Sequence, residues 1–298
     1  MAKFAEETLA NWTKPPSDTE ETKLSNAEKL VRETISEDEK LKTKSTETFG
    51  QGSYANDTNV KNNSDIDINV RYTGGFYFNL PKNIEEKDVG IDHLPSSDYL
   101  YSEFKDDVEN ALVKKFGRGE VIRKDKCIII KENAYRVETD VVPTWNHRRY
   151  SDDGSYVLGA KFKTDNNYWI TNYPRQHIEN GKDKNSKTSK RFKRLTRIYR
   201  KLRYKMIDDD VQVSDNITSF LLECLVWNVP KDVFNDNDTW TERLKQSIIY
   251  LCGNTKDNTS CKEWREVSEL LYLFNSVRKW TRADVNEFLF QIWNYLEF

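Results

Sequence analysis

Two aspartates separated by one apolar residue, Asp65-Ile66-Asp67, are the first residues of this chain whose type and spacing could do chemistry. They lie in a stretch, Ser64 to Tyr72, where apolar Ile66, Ile68 and Val70 alternate with polar Asp65, Asp67 and Asn69. That alternation predicts a half-buried strand, and residues two apart on a strand project to the same face. Asp65 and Asp67 then present two carboxylates side by side while the isoleucines turn to the core. Like charges held that close push one another toward protonation unless a cation neutralises them. Mg²⁺ suits the task because it prefers oxygen ligands and completes its shell with phosphate and water. Two such ions about 3.5–4 Å apart can hold an attacking hydroxyl and a leaving pyrophosphate in line. The expected cofactor is a pair of Mg²⁺ ions, with Mn²⁺ able to substitute.

A third carboxylate is needed for the ion that activates the hydroxyl. Asp140 lies in a further predicted strand, Ala134 to Val142, ended by Pro143, where it shares a face with Arg136 and Glu138 opposite Val137 and Val141. Ahead of the pair stands Gly52-Ser53. A glycine lets the backbone approach phosphate closely, and Ser53 adds a hydroxyl and an N–H for β- and γ-phosphates. Alone, either motif is an ordinary turn or a solvated strand edge; in this order they point to nucleotidyl transfer.

The elements that must position these groups follow from periodicity. Residues 1–16 read as a loose arm ending in Pro15-Pro16, after which Ser17 or Asp18 caps a helix carried to about Lys44 by Leu24, Ala27, Val31, Ile35 and Leu41. A second helix begins near Ser97, shows Leu100, Phe104, Val108 and Leu112 at spacing four, and stops at Gly117. Strands Val121 to Ile130 and Ala134 to Val142 flank a turn at Lys131-Glu132-Asn133, and residues 145–185 read as irregular connection. From about Ser189 the pattern is helical, with Phe192 to Leu202, Ile217 to Trp227, Trp240 to Leu251, Trp264 to Val277 and Asp284 to Leu296. The expected architecture is α+β. An arm (1–16) precedes a catalytic core of mixed sheet and flanking helices (17–175) and an all-α lobe (176–298), with the long first helix bracing both lobes and nucleotides bound between them.

Composition narrows the partners. With 37% hydrophobic and 32% charged residues in 298, the chain reads as globular and soluble. Its net charge of −2 argues against gripping long nucleic acid. Charge is unevenly placed, however: between Arg175 and Lys205 there are thirteen Lys and Arg against Glu179 and Asp183. One strongly positive local surface, suited to phosphate, is expected there. Apolar runs are far shorter than the roughly 20 residues of a membrane span. Four cysteines without a C-x-x-C pair and three dispersed histidines predict a reduced, cytoplasmic protein without structural zinc; a monomer is expected.

The segments Phe49-Gly50-Gln51-Gly52-Ser53-Tyr54, Ser64-Asp65-Ile66-Asp67 and Val137-Glu138-Thr139-Asp140-Val141-Val142-Pro143 resemble the DNA polymerase β-like nucleotidyltransferase superfamily. Within it the chain looks like the bacterial CD-NTases, cGAS/DncV-like relatives of animal cyclic GMP-AMP synthase that serve CBASS anti-phage defence. Thr171-Asn172-Tyr173-Pro174-Arg175-Gln176-His177, Lys190-Arg191-Phe192-Lys193-Arg194-Leu195 and Ser219-Phe220-Leu221-Leu222-Glu223-Cys224-Leu225 resemble clade E of that family. The similarity runs from about residue 49 to 230, with one departure: many members carry Gly-Thr where this chain has Asp57-Thr58. The resemblance implies a polymerase β-like core with a C-terminal helical lobe. It also implies condensation of nucleoside triphosphates, ATP, UTP or others, into a cyclic di- or oligonucleotide that activates an effector protein. Lys193 and Ser219 sit where family members hold the donor triphosphate. An asparagine able to read a pyrimidine edge has three candidates here, Asn166, Asn167 and Asn172. Rival readings are linear transfer to an RNA end or small molecule, and a non-catalytic nucleotide-binding module.

Overall fold

The computed structural model describes residues 3–60 and 65–298. Ser64 of the Ser64-Asp65-Ile66-Asp67 motif lies outside the described residues. The chain divides into two compact units, one of Ser17–Ala55 and Ser64–Arg175, the other of Met1–Pro16, Asn56–Asn63 and Gln176–Phe298.

Residues 3–16 are not a loose arm. They form helix α1 (Glu6–Trp12), whose Leu9 is buried in the core of the helical unit. The Glu6 carboxylate accepts from the Trp240 N–H at 2.6 Å and the Thr241 N–H at 2.9 Å, at the start of a later helix. A carboxylate at a helix N-terminus satisfies orphan donors and meets the positive end of the dipole. Partners more than two hundred residues away therefore order a segment whose own sequence looks slack.

In the first unit α2 (Asp18–Glu37) starts where expected, with Ser17 and Glu20 forming a capping box. It is shorter than periodicity suggested, ending before Asp38; Leu41 is still buried, but in a single 3-10 turn, Leu41–Thr43. Strand β1 (Thr46–Gln51) and one helical turn, α3 (Gly52–Ala55), follow. Then come β2 (Ile66–Asn79), α4 (Tyr101–Phe116), β3 (Val121–Arg123), β4 (Ile128–Ile130), β5 (Thr139–Tyr150), β6 (Tyr156–Lys163) and β7 (Trp169–Asn172). Among the described residues these make one seven-stranded sheet of order β1-β2-β5-β4-β3, with β6 on β5 and β7 on β6. Strands β2 and β5 run parallel, and the other pairs are antiparallel. Ile66, Ile68 and Val70 of β2 are fully buried with Leu24, Val31 and Ile35 of α2 and Phe104, Val108 and Leu112 of α4. Each such side chain contributes about 1.5–3 kcal/mol, which fixes the alternation so that Asp67 turns to the opposite face.

Several strand expectations are corrected. Val121 to Ile130 is not one strand but a tight hairpin, β3 with β4. The strand carrying Asp140 starts at Thr139 rather than Ala134 and runs on through Pro143 to Tyr150. Proline is tolerated because it falls between the stretch paired with β4 (Thr139 to Val141) and the stretch paired with β6 (Trp145 to Tyr150), where no ladder bond is lost on that edge. Residues 145–185 are mostly ordered, as the end of β5, β6, β7 and helix α5 (Pro174–Lys187); their Asn and Asp residues serve the turns at 151–155 and 164–168.

The helical unit contains most of α5, then α6 (Arg191–Asp208), α7 (Ser219–Trp227), α8 (Lys231–Asn235), α9 (Trp240–Thr255) and α10 (Arg282–Leu296). Its core gathers Phe192, Leu195, Tyr199 and Leu202 of α6 with Leu221, Leu225, Ile248, Phe288 and Ile292. Trp264 to Val277 is not a helix. Arg265 bridges Tyr272, Glu269 takes a left-handed φ of 62°, and the Asn228 amide bonds both the N–H and the carbonyl of Arg265. Trp264, Val267 and Leu273 are buried at a spacing that mimics a helix, but Asn228 claims the backbone groups a helix would use.

The expected positive surface is partly internal. Lys193, Arg197 and Arg200 share one face of α6 and are buried. Arg197 donates to the carbonyls of Asn59 (3.3 Å), Thr13 (3.0 Å) and Asp57 (2.8 Å), and to the Asp57 carboxylate at 2.5 Å. Asp57 adopts a left-handed φ of 52°, a conformation that glycine takes without strain. Its ion pair with Arg197 offsets that cost. Thr58, fully buried, donates to Glu223 at 3.0 Å, and the other Glu223 oxygen meets His177 Nε2 at 3.0 Å.

Burial alone would raise the proton affinity of Glu223, but His177, Arg200 and Thr58 reverse the sign and hold it below the usual glutamate range. A depressed folded-state pKa gives stability that is present above the unfolded pKa and lost as pH falls through the folded one. Glu223→Ala strands His177 and Thr58, and is expected to cost about 3 kcal/mol of unfolding free energy at pH 7. Denaturant melts of wild type and variant that converge as pH drops below the carboxylate range would agree with this; a constant gap would not.

Candidate active site

Strand β1 delivers the cradle. Gln51 is the register partner of Asp67, and immediately after it Gly52 takes a φ of +64°, turning the chain into α3. A Cβ placed on Gly52 would lie 1.9 Å from Asp67 Oδ2, so the carboxylate packs directly on the glycine backbone. Ser53, half-buried, follows in the same turn. The close approach that glycine was expected to allow is thus made by Asp67 itself.

Asp67 is also the register partner of Asp140 across the parallel β2–β5 pair. Neighbouring strands lie about 4.7–4.9 Å apart and register partners project to the same side, which puts two carboxylates on one face of the sheet. Asp65, exposed, lies one residue before β2. Its charge reaches Asp140: burial first, then Asp65 and Glu138, raise the Asp140 proton affinity above the usual aspartate value. Asp67 and Asp140, distant in sequence, are therefore brought opposite each other, and the Asp65 charge acts on Asp140 from outside the strand. Among the described residues no group of three or more His, Cys, Asp or Glu side chains is placed to hold a metal ion; the Asp67–Asp140 pair shares one face of the sheet, and like charges hold carboxylates apart. An oxygen-only donor set, mutual repulsion and a backbone cradle free of Cβ all fit a hard divalent cation with phosphate oxygens.

Sequence reasoning missed three neighbours of this edge. The Cys127 thiol, in the β3–β4 hairpin, donates to Asp140 and is pushed up to about 12 by burial and by the charges of Asp140 and Asp67. Only its place two residues from the Asp140 partner Ile129 could have signalled it. Farther along β2, Asn69 accepts from Thr144 Oγ1 at 2.7 Å and donates to Gln51 Oε1 at 3.0 Å, locking β1, β2 and β5 in register behind the acids. Next on that face, buried Arg71 pairs with Glu47 at 2.5 Å and lies over the Phe49 ring, with Arg175 on the same carboxylate.

The asparagine candidates separate. Asn167 has a left-handed φ of 69° and completes the 164–168 turn. Asn166, exposed, donates its N–H to Asp125 Oδ1 at 2.9 Å, which ties its turn to the hairpin that carries Cys127. Asn172 closes β7 opposite Ala160, itself paired with Asn146, six positions along β5 from Asp140. At about 3.3 Å per residue that is roughly 20 Å along the strand.

Lys193 and Ser219 belong to the helical unit. The Lys193 ammonium makes no hydrogen bond or ion pair among the described residues; burial lowers its proton affinity, opposed by Asp57 and Glu223. Ser219 is the first residue of α7, and the cap is Thr218, whose hydroxyl accepts from the Leu221 N–H at 3.2 Å. The Ser219 hydroxyl is therefore not consumed by capping. Among the described residues no helix is long and apolar enough to cross a membrane.

Residues 7–185 match the Second Messenger Oligonucleotide or Dinucleotide Synthetase domain, and residues 179–297 match the cGAS/DncV-like nucleotidyltransferase C-terminal helical domain. The chain is 68% identical over its full length to the cyclic dipyrimidine nucleotide synthase CdnE of Cecembia lonarensis, all of which it covers. Its fold is similar to that of the Elizabethkingia meningoseptica CdnE cyclic dinucleotide synthase solved with GTP and Apcpp (TM-score 0.82, 33% identity, covering 99% of this chain and all of that one). It is also similar to the Rhodothermus marinus CdnE c-UMP-AMP synthase solved with Apcpp and Upnpp (TM-score 0.82, 26% identity, covering 98% and 97%).

Proposed function

The chain belongs to the cGAS/DncV-like nucleotidyltransferases, clade E, and on that premise we propose that it condenses two pyrimidine nucleoside triphosphates, UTP foremost, into a cyclic dinucleotide with release of pyrophosphate. The single observation that carries the chemistry is the register pairing of Asp67 with Asp140, with the Asp67 carboxylate seated on Gly52.

Enzymes of this family typically use divalent metal ions. Asp65 and Asp67 would hold both of two Mg²⁺ ions, which Mn²⁺ could replace, and Asp140 would share one of them. When bound, the ions neutralise the three acids, polarise the α-phosphate and offset the charge that develops on pyrophosphate. Asp140 positions the acceptor's ribose hydroxyl in line with the donor α-phosphorus. The Gly52 backbone and the Ser53 hydroxyl hold the β- and γ-phosphates. Lys193 supplies a mobile point charge to the donor triphosphate, and Ser219 a hydroxyl beside the unpaired N–H groups of a helix start. A second transfer of the same kind closes the ring.

Pyrimidine use is supported by the 68% identical relative named as a dipyrimidine synthase. Of the asparagines, Asn166 is the strongest base-reading candidate, because its turn is tied to the hairpin beside Asp140; Asn172 is second. The product would act in the anti-phage signalling typical of the family, by activating an effector protein, and the enzyme would work as a cytoplasmic monomer. Incubating purified protein with four labelled NTPs and Mg²⁺ or Mn²⁺, then with phosphatase, tests this. A phosphatase-resistant product labelled by UTP is expected. Phosphatase-sensitive products would mean linear transfer, label from purines alone would overturn the base assignment, and no turnover would leave a nucleotide-binding module.

A further inference from the structure

A cavity of about 410 Å³ lies within the helical unit, between the second half of α5 and the chain that joins α7 to α8. Its volume is in the range of roughly 300–1,000 Å³ typical of small-ligand sites, and nothing in the proposed reaction uses it. Lys184 lines it, yet is only 8% exposed. Its Nζ donates to the backbone carbonyls of Trp227 and, at 2.8 Å, Val229, two residues that line the same cavity. The ring centres of Trp227, Phe234 and Phe192 lie 4.9, 5.4 and 5.8 Å from it. Lys184 makes no ion pair among the described residues. Of the two acids on the cavity wall, Asp183 is bound to Lys187 at 2.6 Å and Glu269 accepts from the Trp227 indole N–H.

This setting suits an amine better than an ammonium. A neutral lysine nitrogen has two N–H groups, which the two carbonyls satisfy, and keeps its lone pair. The ammonium has a third N–H with no acceptor among the described residues, and an unpaired buried charge is costly. Burial, opposed by Glu269 and reinforced by Lys231, accordingly lowers the Lys184 pKa to about 7. Buried lysines of this kind are nucleophiles. Lys231, the exposed first residue of α8, stands on the same cavity wall and makes no side-chain hydrogen bond or ion pair among the described residues. A cation beside the nucleophile favours a product that gains negative charge. The small exposure of Lys184 favours a very small electrophile.

We infer that Lys184 is a site of reversible carbamate formation with carbon dioxide, with Lys231 as the counter-ion. The Nζ lone pair attacks the carbon of CO₂, a C–N bond forms as one C=O π pair moves onto oxygen, and the displaced N–H proton passes to water. No oxidant or reductant is required. The carbamate nitrogen keeps one N–H for a carbonyl, whereas an imine formed with an aldehyde would keep none.

The test is ¹³C NMR of the whole chain equilibrated with ¹³C-bicarbonate at neutral pH, which reads a carbamate without any trapping reagent having to reach it. Alkylation of the carbamate to a stable ester and peptide mass spectrometry then locate it. Lys184 is expected to carry at least about tenfold more label than the exposed lysines, since an ordinary lysine with a pKa of about 10.4 is almost wholly protonated there. In Lys231→Ala, which should melt like the wild type because that side chain is exposed and unpaired, the Lys184 label should fall at least about threefold, the loss of a nearby charge in partly solvated surroundings. Absence of a carbamate resonance in the wild type, or label no greater on Lys184 than on the exposed lysines, overturns the inference. Label unchanged in Lys231→Ala overturns the counter-ion. Nucleotide turnover plays no part in the readout, so the outcome is independent of the cyclisation assay.

Discussion

Asp67→Asn is expected to lower turnover by on the order of 10³-fold or more while leaving the protein folded. Asparagine keeps the shape and the packing on Gly52 but removes the charge at the centre of the acid edge. Losing one member of a set that acts as a unit removes most of the benefit of all of it. Stability should move the other way. Asp67 stands opposite Asp140, whose proton affinity is already raised by burial and the Asp65 charge; two opposed carboxylates repel, so a neutral residue at 67 relieves repulsion when no cation is bound. A carboxyl with a raised folded-state pKa destabilises the fold as pH climbs through that pKa. The wild type should therefore melt lower in EDTA than in Mg²⁺, with mass action adding about 2.7 kcal/mol at a hundredfold excess over Kd, and Asp67→Asn should lose most of that response. Full turnover in the variant, measured with labelled NTPs, would end the case for the acid edge as the reaction centre.

Gly52→Ala is the second large effect. Alanine at a φ of +64° costs about 1–2 kcal/mol on its own, a modest loss for a chain of this size. The larger consequence is local. The new methyl would stand 1.9 Å from Asp67 Oδ2, so that carboxylate must swing away. Displacements of about 1 Å at a reacting centre cost on the order of 10²-fold. Turnover should fall by at least that much, with the melt lowered only slightly. A variant that is badly unfolded, or one that turns over like the wild type, would contradict a steric role at the acid edge.

The place of Asp67 was legible because local pattern suffices to set it: alternation on β2 buries Ile66 and Ile68 and turns Asp67 away from them. Helices α2, α4, α6, α7, α9 and α10 were legible for the same reason, since each carries a full apolar stripe and most have a cap of their own. Strand β1 escaped notice because Thr46 to Gln51 has one buried residue, Thr48, and hence no apolar alternation.

The elements misread share a cause. Leu9 of α1, Pro143 inside β5 and the Trp264–Val277 segment take their conformation from partners distant in the chain: the helical core, the gap between β4 and β6, and the Asn228 amide. Composition and periodicity, which act over a few residues, were enough to propose the acids and the α+β class, while the resemblance of short motif segments carried the family likeness. Which groups meet was left to long-range pairing. The register that sets Asp140 beside Asp67, the seat of that carboxylate on Gly52, the contact of the Cys127 thiol with Asp140 and the carbonyl-held amine of Lys184 exist only once distant segments are packed. Side-chain direction is a local property of the backbone, whereas proximity and desolvation belong to the folded whole.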